Sequence, residues 1–198
     1  MRSSRERILE RLRQAQPPPV PLPDVPSSPL RFEDLPGRFA RSSTEVGGSC
    51  LRVGSMEEAA AAVRDLPVAR EARQIVSLVA EVLPGNVSLD SVDDPHGLAG
   101  VDLAVVPGEF GVAENGAVWL TDRVLQQRRA VLFLTQHLIL VVPATELVHT
   151  LHEAYARLRL GARQFGLFIS GPSKTADIEQ ALVIGAHGPR SSTVVLVG

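Results

Sequence analysis

The first side chains that could do chemistry lie in a loop near the C-terminal end of the sequence. This loop follows an apolar segment typical of a buried strand, and it contains Ser170, Gly171, Ser173, Lys174 and Thr175. Hydroxyl groups, a lysine cation and the free N–H groups at the start of a helix can hold a phosphate or a carboxylate. The spacing is not that of a GxxxxGK[ST] nucleotide-binding loop. The loop predicts an anion site, or alternatively a well-capped helix whose Gly-Pro pair only turns the chain.

A second polar loop contains His187, Gly188 and Arg190. A histidine there could take part in acid–base chemistry, and an arginine could clamp an anion. The same residues would also suit a rigid loop in which the histidine satisfies backbone groups. Both interpretations stay open from the residues alone.

A short helix is predicted between these two loops. Thr175 is a suitable N-cap, and Asp177 and Glu179 would lie in the first turn, where the helix dipole favours acids. The helix would end near Gly185, and a buried strand at Thr193–Val197 would follow.

A third group, Glu114-Asn115-Gly116, leads directly into the predicted strand Ala117–Thr121. A carboxylate at the mouth of a strand can serve as a base or attack an acyl group. The alternative is an Asn-Gly turn with a solvated glutamate.

The residue types give little support for a metal site or for redox chemistry. His149 and His152 share a helical spacing, but no third ligand is evident nearby and the HExxH motif is absent, so no metal site is predicted. Cys50 is the only cysteine, which leaves no intrachain disulfide and no iron–sulfur cluster built from this chain alone. No cofactor bound by this chain is predicted.

Composition excludes several classes of partner. The 20 basic and 22 acidic residues give a formal net charge of −2 and no reason to expect a nucleic-acid partner. No apolar run approaches the length of a membrane span, and the N-terminus lacks the apolar core of a signal peptide. The expected location is the cytoplasm.

The elements that must position these groups suggest an α/β protein with a largely parallel central sheet, because several strands are apolar throughout. We predict an N-terminal helix in residues 1–16, a proline-rich linker in residues 17–36 and an α/β domain in residues 37–198. Further predictions are a helix at Phe32–Arg41 interrupted by Pro36-Gly37, a helical turn at Glu109–Ala113, strands at Ala130–Leu134 and His137–Val142, and a helix from Pro143 through Leu158.

Two segments near the C-terminus together resemble a family signature. Ser170–Glu179 (SGPSKTADIE) and Val183–Arg190 (VIGAHGPR) closely resemble the signature of the LUD-domain family, in its short, cysteine-poor lactate utilization protein C branch. Asp102–Gly116 is similar to the family segment that precedes them. Lys174 stands where the family usually has arginine, and Asn115 replaces the usual threonine.

The resemblance implies a Rossmann-like three-layer sandwich of the NagB/RpiA/CoA-transferase type. It also implies a role in oxidising L-lactate to pyruvate, within a three-protein system whose other members carry the iron–sulfur clusters. The chain would then be an accessory subunit, in which the two loops and the Glu114 turn form a pocket for a small carboxylate or a phosphate-bearing ligand.

Two alternatives remain beside this prediction. Ala113-Glu114-Asn115-Gly116 resembles the active-site Glu-Asn-Gly of family I CoA-transferases, which would make Glu114 an acyl acceptor. The chain could instead be a non-catalytic interaction subunit in which the motifs only shape loops. The oligomeric state is left open.

Overall fold

The computed structural model describes residues 3–21, 23, 30–125, 128–159, 161, 165–178 and 181–198. The α-helices in these residues are α1 (Ser4–Gln14), α2 (Leu35–Glu45), α3 (Met56–Asp65), α4 (Pro67–Glu71), α5 (Asp122–Leu125), α6 (Val131–Leu134) and α7 (Leu151–Arg157). The strands are β1 (Ser49–Val53), β2 (Ile75–Ser77), β3 (Leu103–Pro107), β4 (Phe110–Val112), β5 (Ala117–Thr121), β6 (His137–Pro143), β7 (Leu147–Val148), β8 (Gly166–Ile169), β9 (Lys174–Ile178), β10 (Ala181–Ile184) and β11 (Ser191–Val197).

Five parallel strands form the central sheet, in the order β1-β11-β6-β3-β2. The register places His137 of β6 between Ser191 of β11 and Leu103 of β3. Because the strands are parallel, their first residues all lie at one edge of the sheet, which we call the amino edge. The loops that lead into these strands therefore converge there.

The central sheet is covered on both faces, which explains its nearly continuous apolar strands. One face packs against α3 through Ala59 and Val63. The other face packs against Phe39 of α2 and against a second sheet. The predicted α/β class with a parallel central sheet is confirmed.

The second sheet has the order β7-β4-β5-β8. Val118 and Leu120 of β5 point into the core shared with the central sheet. On the opposite face, Phe110 and Trp119 pack against Ala154 of α7. The turn between β4 and β5 carries Glu114, so this sheet positions the third predicted motif.

The prediction of a helix between the two C-terminal loops is wrong. Lys174–Ile178 and Ala181–Ile184 form an antiparallel pair of strands in which Thr175 lies opposite Val183. Asp177 lies in the first of these strands, and Glu179 lies outside the described residues. The β-branched residues of the segment favour a strand over a helix, and this preference outweighs the N-cap signal.

Other local predictions also need correction. Glu109–Ala113 contains strand β4 in place of a helical turn, Ala130–Leu134 contains helix α6 in place of a strand, and the segment after Pro143 forms β7 before α7 begins at Leu151. Pro36 does not interrupt α2, because it lies in the first turn, where a missing N–H costs nothing.

Helix α1 is well formed but contributes nothing to the core. Ser3 and Glu6 make a reciprocal capping box, with N–H to oxygen distances of 3.2 and 2.7 Å. No residue of α1 is buried. Helix α2 begins at Leu35, inside the range assigned to the linker, and the division into three segments stays a prediction.

In the part of the chain that the structure describes, none of the helices has both the length and the apolar character needed to cross a membrane.

Cys50 is expected to react slowly in the folded protein. Burial raises the pKa of its thiol to about 11, and the positive charge of Arg52 opposes only part of that rise. Since the thiolate is the reactive form, alkylation or disulfide exchange at pH 8 should be roughly a hundredfold slower in the folded than in the denatured protein. Ellman's reagent with and without guanidinium measures this ratio, and equal rates would contradict the expectation.

Candidate functional site

The structure brings the three predicted motifs together beside the amino edge of the central sheet. Ser170 Oγ donates a hydrogen bond to the carbonyl oxygen of Asn115 at 2.7 Å. The backbone N–H of Ser173 donates to the carbonyl of Pro189 at 2.9 Å. The loop that contains Ser170 and Ser173 therefore touches the Glu114 turn on one side and the His187 loop on the other.

Helix α2 also holds this arrangement in place, and the sequence predicted a helix in this region but not its contact with the Glu114 turn. Ser42 Oγ donates to the carbonyl of Ala113 at 2.7 Å. Gly116 has φ +67°, and a Cβ at this position would lie 2.7 Å from the backbone nitrogen of Ser43. The turn can lie against α2 only because this residue is glycine. A signal in the sequence was the Gly47-Gly48 pair, which lies between the end of α2 and the start of β1.

Gly171 makes a similar close approach. Its φ is +71°, and a Cβ would lie 2.5 Å from the carbonyl oxygen of Val46, the residue that follows α2. Pro172 is buried, and its ring is the nearest group to the position that a Cβ on Gly47 would take, at 3.9 Å. The Gly-Pro pair therefore fixes the loop against the end of α2, as well as turning the chain.

Lys174 places its charge at the C-terminal end of α2. Its Nζ donates a hydrogen bond to the carbonyl oxygen of Val46. A cation is favourable there because the helix dipole is negative at this end. The side chain is exposed, and within the described ranges it has no carboxylate partner.

The His187 loop presents two exposed side chains. His187 and Arg190 are both exposed, and the backbone N–H of Arg190 donates to the carbonyl of Gln136 at 2.8 Å. Gly188 lies against Ser173, since a Cβ at position 188 would approach the Ser173 Cβ to 2.9 Å. No carboxylate of the described residues forms an ion pair with Arg190, so its guanidinium is available to an anion.

The hydroxyls of Ser173 and Thr175 are also available. Both side chains are partly exposed, and no hydrogen-bond partner for either hydroxyl lies in the part of the chain that the structure describes. The backbone of Ser173 is held at both its groups, because its carbonyl also accepts from Gly185 N–H at 2.9 Å.

One carboxylate oxygen of Glu114 is engaged in a structural contact. Its Oε2 accepts a hydrogen bond at 2.9 Å from the N–H of Leu151, the first residue of α7. An acid is favourable at this end of a helix. The Glu114 carbonyl accepts from Arg38 Nη2 at 3.3 Å, and Asn115 Oδ1 accepts from the N–H of Ala117 at 3.1 Å. The turn is thus held by backbone and side-chain bonds on both sides.

Replacing Glu114 by alanine should lower the free energy of unfolding by about 1 kcal/mol, because α7 loses an acceptor and a favourable charge. Glu114→Gln keeps a carbonyl oxygen at the same place and should lose less. Urea denaturation of the two variants and the wild type measures the difference. Identical midpoints for all three would show that the Leu151 contact contributes nothing.

His137 and Ser191 form a further pair at the amino edge. The distance between His137 Nδ1 and Ser191 Oγ is 2.7 Å. Burial lowers the pKa of His137, and the positive charge of Arg190 lowers it further, so the imidazole is neutral at pH 7. No local sequence pattern singles out Ser191, because the pair joins residues from two different strands.

His149 has a structural partner. Its Nδ1 accepts a hydrogen bond from the backbone N–H of Phe32 at 3.0 Å, and the two rings stack with centroids 6.1 Å apart. The pairing of His149 with His152 on a metal is not supported, since no group of three or more potential metal ligands occurs in the described residues. His149 instead attaches the segment before α2 to α7 and β7.

The fold and the site together define the class of protein. It is an α/β protein whose proposed ligand loops lie at the amino edge of a parallel sheet and contact a second sheet. The LUD domain model matches residues 96–197, and the chain belongs to the LUD-domain family.

Several curated relatives support the same assignment. "Lactate utilization protein C" of Deinococcus radiodurans is 29% identical over 188 residues, which cover 91% of this chain and 86% of the relative. The protein of the same name from Geobacillus kaustophilus is 34% identical over 102 residues, and this match spans 48% of the chain and 42% of the relative. The chain therefore spans most of the first relative and less than half of the second.

One solved structure shares the fold. A crystal structure of a DUF162 family protein from Deinococcus radiodurans superposes with a TM-score of 0.61 at 22% identity, covering 86% of this chain and 100% of that chain. At this level of identity the likeness establishes the fold and carries no statement about the site.

Proposed function

We propose that this chain is a component of an L-lactate utilization system and binds a small carboxylate or a phosphate-bearing anion at the amino edge of its central sheet. The curated relatives are named for lactate utilization. The iron–sulfur clusters of the system would reside on partner proteins, because the single cysteine of this chain cannot hold one. This role places the protein in the cytoplasm as an accessory subunit.

The observation that carries the anion site is the excess of unpaired positive charge where the motifs meet. Lys174 donates only to a carbonyl, and Arg190 has no carboxylate partner in the described residues. The hydroxyls of Ser173 and Thr175 add neutral donors on the same loop. An anion would satisfy these groups together, as arginine and hydroxyl groups do in other carboxylate and phosphate sites.

Isothermal titration calorimetry with L-lactate, pyruvate and inorganic phosphate tests the anion site. Arg190→Gln should weaken binding at least tenfold, because it removes a charge-assisted hydrogen bond worth roughly 1.5–3 kcal/mol. Lys174→Gln should weaken it less, since its charge is partly used at the end of α2. Arg64→Gln, on the exposed surface of α3, is the matched control and should bind as the wild type does.

The partner role has its own experiment. Affinity purification of the full chain from its own cell during growth on lactate should recover Cys-rich iron–sulfur proteins. Recovery of such proteins without any binding of carboxylate or phosphate would favour a non-catalytic interaction subunit. Failure to recover them under lactate growth would remove the main support for the accessory role.

A second candidate function uses Glu114 as an acyl acceptor in a CoA-transferase or ligase reaction. The observation in its favour is that Oε1 of Glu114 has no hydrogen-bond partner in the described ranges, while Oε2 is held by Leu151. One fixed oxygen and one available oxygen suit a carboxylate nucleophile. Incubation with short acyl-CoA thioesters and then hydroxylamine should convert Glu114 to a hydroxamate, which mass spectrometry detects. An unmodified Glu114 with every thioester would exclude this function.

A further inference from the structure

Residues 1–31, which we call the arm, leave their large apolar side chains exposed wherever the structure describes them. Ile8 and Leu12 of α1 are each more than half exposed, and so are Val20 and Leu30 further along the arm. Helix α1 has 11 residues, none of them buried. A helix of this length is marginal in water when no other surface packs against it. Helix α1 therefore gains stability from any surface that covers Ile8 and Leu12.

A proline-rich stretch separates α1 from the rest of the chain. Residues 16–21 contain four prolines, and all six residues are exposed and lack regular secondary structure. Proline favours the extended polyproline II conformation, which rises about 3.1 Å per residue, so these residues span about 19 Å. A spacer of this stiffness opposes the folding of α1 back onto the domain that follows it.

The arm and the rest of the chain carry opposite net charges. Residues 1–31 contain six basic and three acidic residues, whereas residues 32–198 contain 14 basic and 19 acidic residues. With neutral histidines the formal net charges are +3 for the arm and −5 for the rest. Opposite charges favour contact between the arm of one copy and the body of another, and like charges oppose contact between two arms. The acidic body would likewise oppose docking of the arm on an anionic membrane.

The outer face of the second sheet offers an apolar surface that could receive the arm. Phe110 and Trp119 on this face pack against α7, a helix of seven residues in which only Ala154 is buried. Tyr155 of α7 is 65% exposed, and its ring centroid lies 6.0 Å from that of the partly exposed Phe168. Large aromatic side chains of this kind are enriched at the centres of protein interfaces.

The arm joins the body beside this surface. The backbone N–H of Phe32, the residue that follows the arm, donates to Nδ1 of His149 at 3.0 Å. Arg31, the last residue of the arm, pairs with Glu153 of α7 at 3.7 Å. Tyr155 follows Glu153 by two residues on the same helix. Because the base of the arm and the Tyr155 surface adjoin, one two-fold axis would let each of two copies place its arm on the other.

We infer that the arm docks on a second copy of this chain, with α1 lying against the surface formed by Tyr155 and Phe168. Ile8 and Leu12 pack against the ring of Tyr155. The exchange is reciprocal, so each dimer contains this contact twice and covers the exposed apolar groups of both arms. The inference concerns a different part of the molecule from the proposed anion site and does not depend on it.

Sedimentation equilibrium on the full chain tests this inference. The wild type should have twice the monomer mass of 21.2 kDa, and added salt should weaken the dimer. Ile8→Ser combined with Leu12→Ser should raise the dissociation constant at least about tenfold, because two apolar side chains lose their contacts. Tyr155→Ser should do the same from the other side of the contact. Phe133→Ser is the matched control, since Phe133 is an exposed aromatic residue on α6, and it should leave the dimer unchanged.

Hydrogen exchange on the wild type does not depend on the variants folding. The α1 amides should be protected at protein concentrations where the dimer forms and should lose that protection on dilution. Protection of α1 in a monomer would mean that the arm docks on its own body. Protection that requires phosphatidylglycerol vesicles would mean that the arm binds lipid. Either result, or a dimer that the α1 and Tyr155 substitutions leave intact, would overturn the inference.

Discussion

Replacing Gly171 by alanine is expected to lower the free energy of unfolding by about 3 kcal/mol and to weaken anion binding at the same time. The φ angle of +71° costs an L-residue about 1–2 kcal/mol. The new Cβ would also lie 2.5 Å from the Val46 carbonyl oxygen, and relieving such an overlap typically costs a further 1–3 kcal/mol. The oxygen belongs to the backbone at the end of α2, so it cannot move aside as a flexible side chain would.

Gly47→Ala separates the two contributions. Gly47 has a similar φ of +80°, but a Cβ there would meet only the Pro172 ring at 3.9 Å, an ordinary contact. This variant should therefore lose only the conformational part, about 1–2 kcal/mol. Guanidinium denaturation of both variants measures the difference, and equal losses would mean that the loop shifts without cost. Binding of L-lactate by the folded fraction of Gly171→Ala reports whether the Ser173 loop keeps its position.

Replacing Phe39 by alanine should lower the free energy of unfolding by about 3–5 kcal/mol. Phe39 has no exposed surface and joins α2 to the core between the two sheets. Its ring lies close to Gly111 of β4, where a Cβ would come within 2.7 Å of it. Removing the ring leaves a cavity between α2 and β4, which the surrounding backbone can close only in part.

Phe133→Ala is the matched control for this prediction. Phe133 is the same residue type on α6, but 49% of it is exposed. Its loss should change the free energy of unfolding by less than about 1 kcal/mol. Thermal denaturation of both variants tests the contrast. A loss of similar size at the two positions would mean that α2 is not anchored through its aromatic ring.

The parallel sheet could be predicted from the sequence because burial on both faces leaves a direct pattern. Strands β3 and β6 read as continuous apolar runs, and the structure places both in the middle of the sheet. The β9–β10 pair could not be recognised in this way. Lys174, Thr175 and Asp177 carry good signals for a helix start, and their strand conformation depends on pairing with β10.

The loops of the candidate site could be predicted from the sequence, but the contacts with α2 that hold them could not. The residue types at Ser170–Thr175, His187–Arg190 and Glu114 mark three loops, and the structure joins them through bonds such as Ser170 to Asn115. The part played by α2 depends on contacts across more than seventy positions, as between Ser42 and Ala113. Such contacts leave only an indirect trace in a single sequence, here the glycines at positions 116 and 171.

The pairing of β1 with β11 limits which fragments of this protein can fold by themselves. Strand β1 and helix α2 lie outside residues 96–197, the region that matches the LUD domain model. A fragment limited to that region would leave one side of β11 without its hydrogen-bonding neighbour, along seven residues of which five are buried. An uncovered apolar edge of this kind attracts further strands and promotes aggregation. The smallest unit that can fold without such an edge therefore includes α2 and β1, and it begins well before residue 96, where the match to the LUD domain model starts.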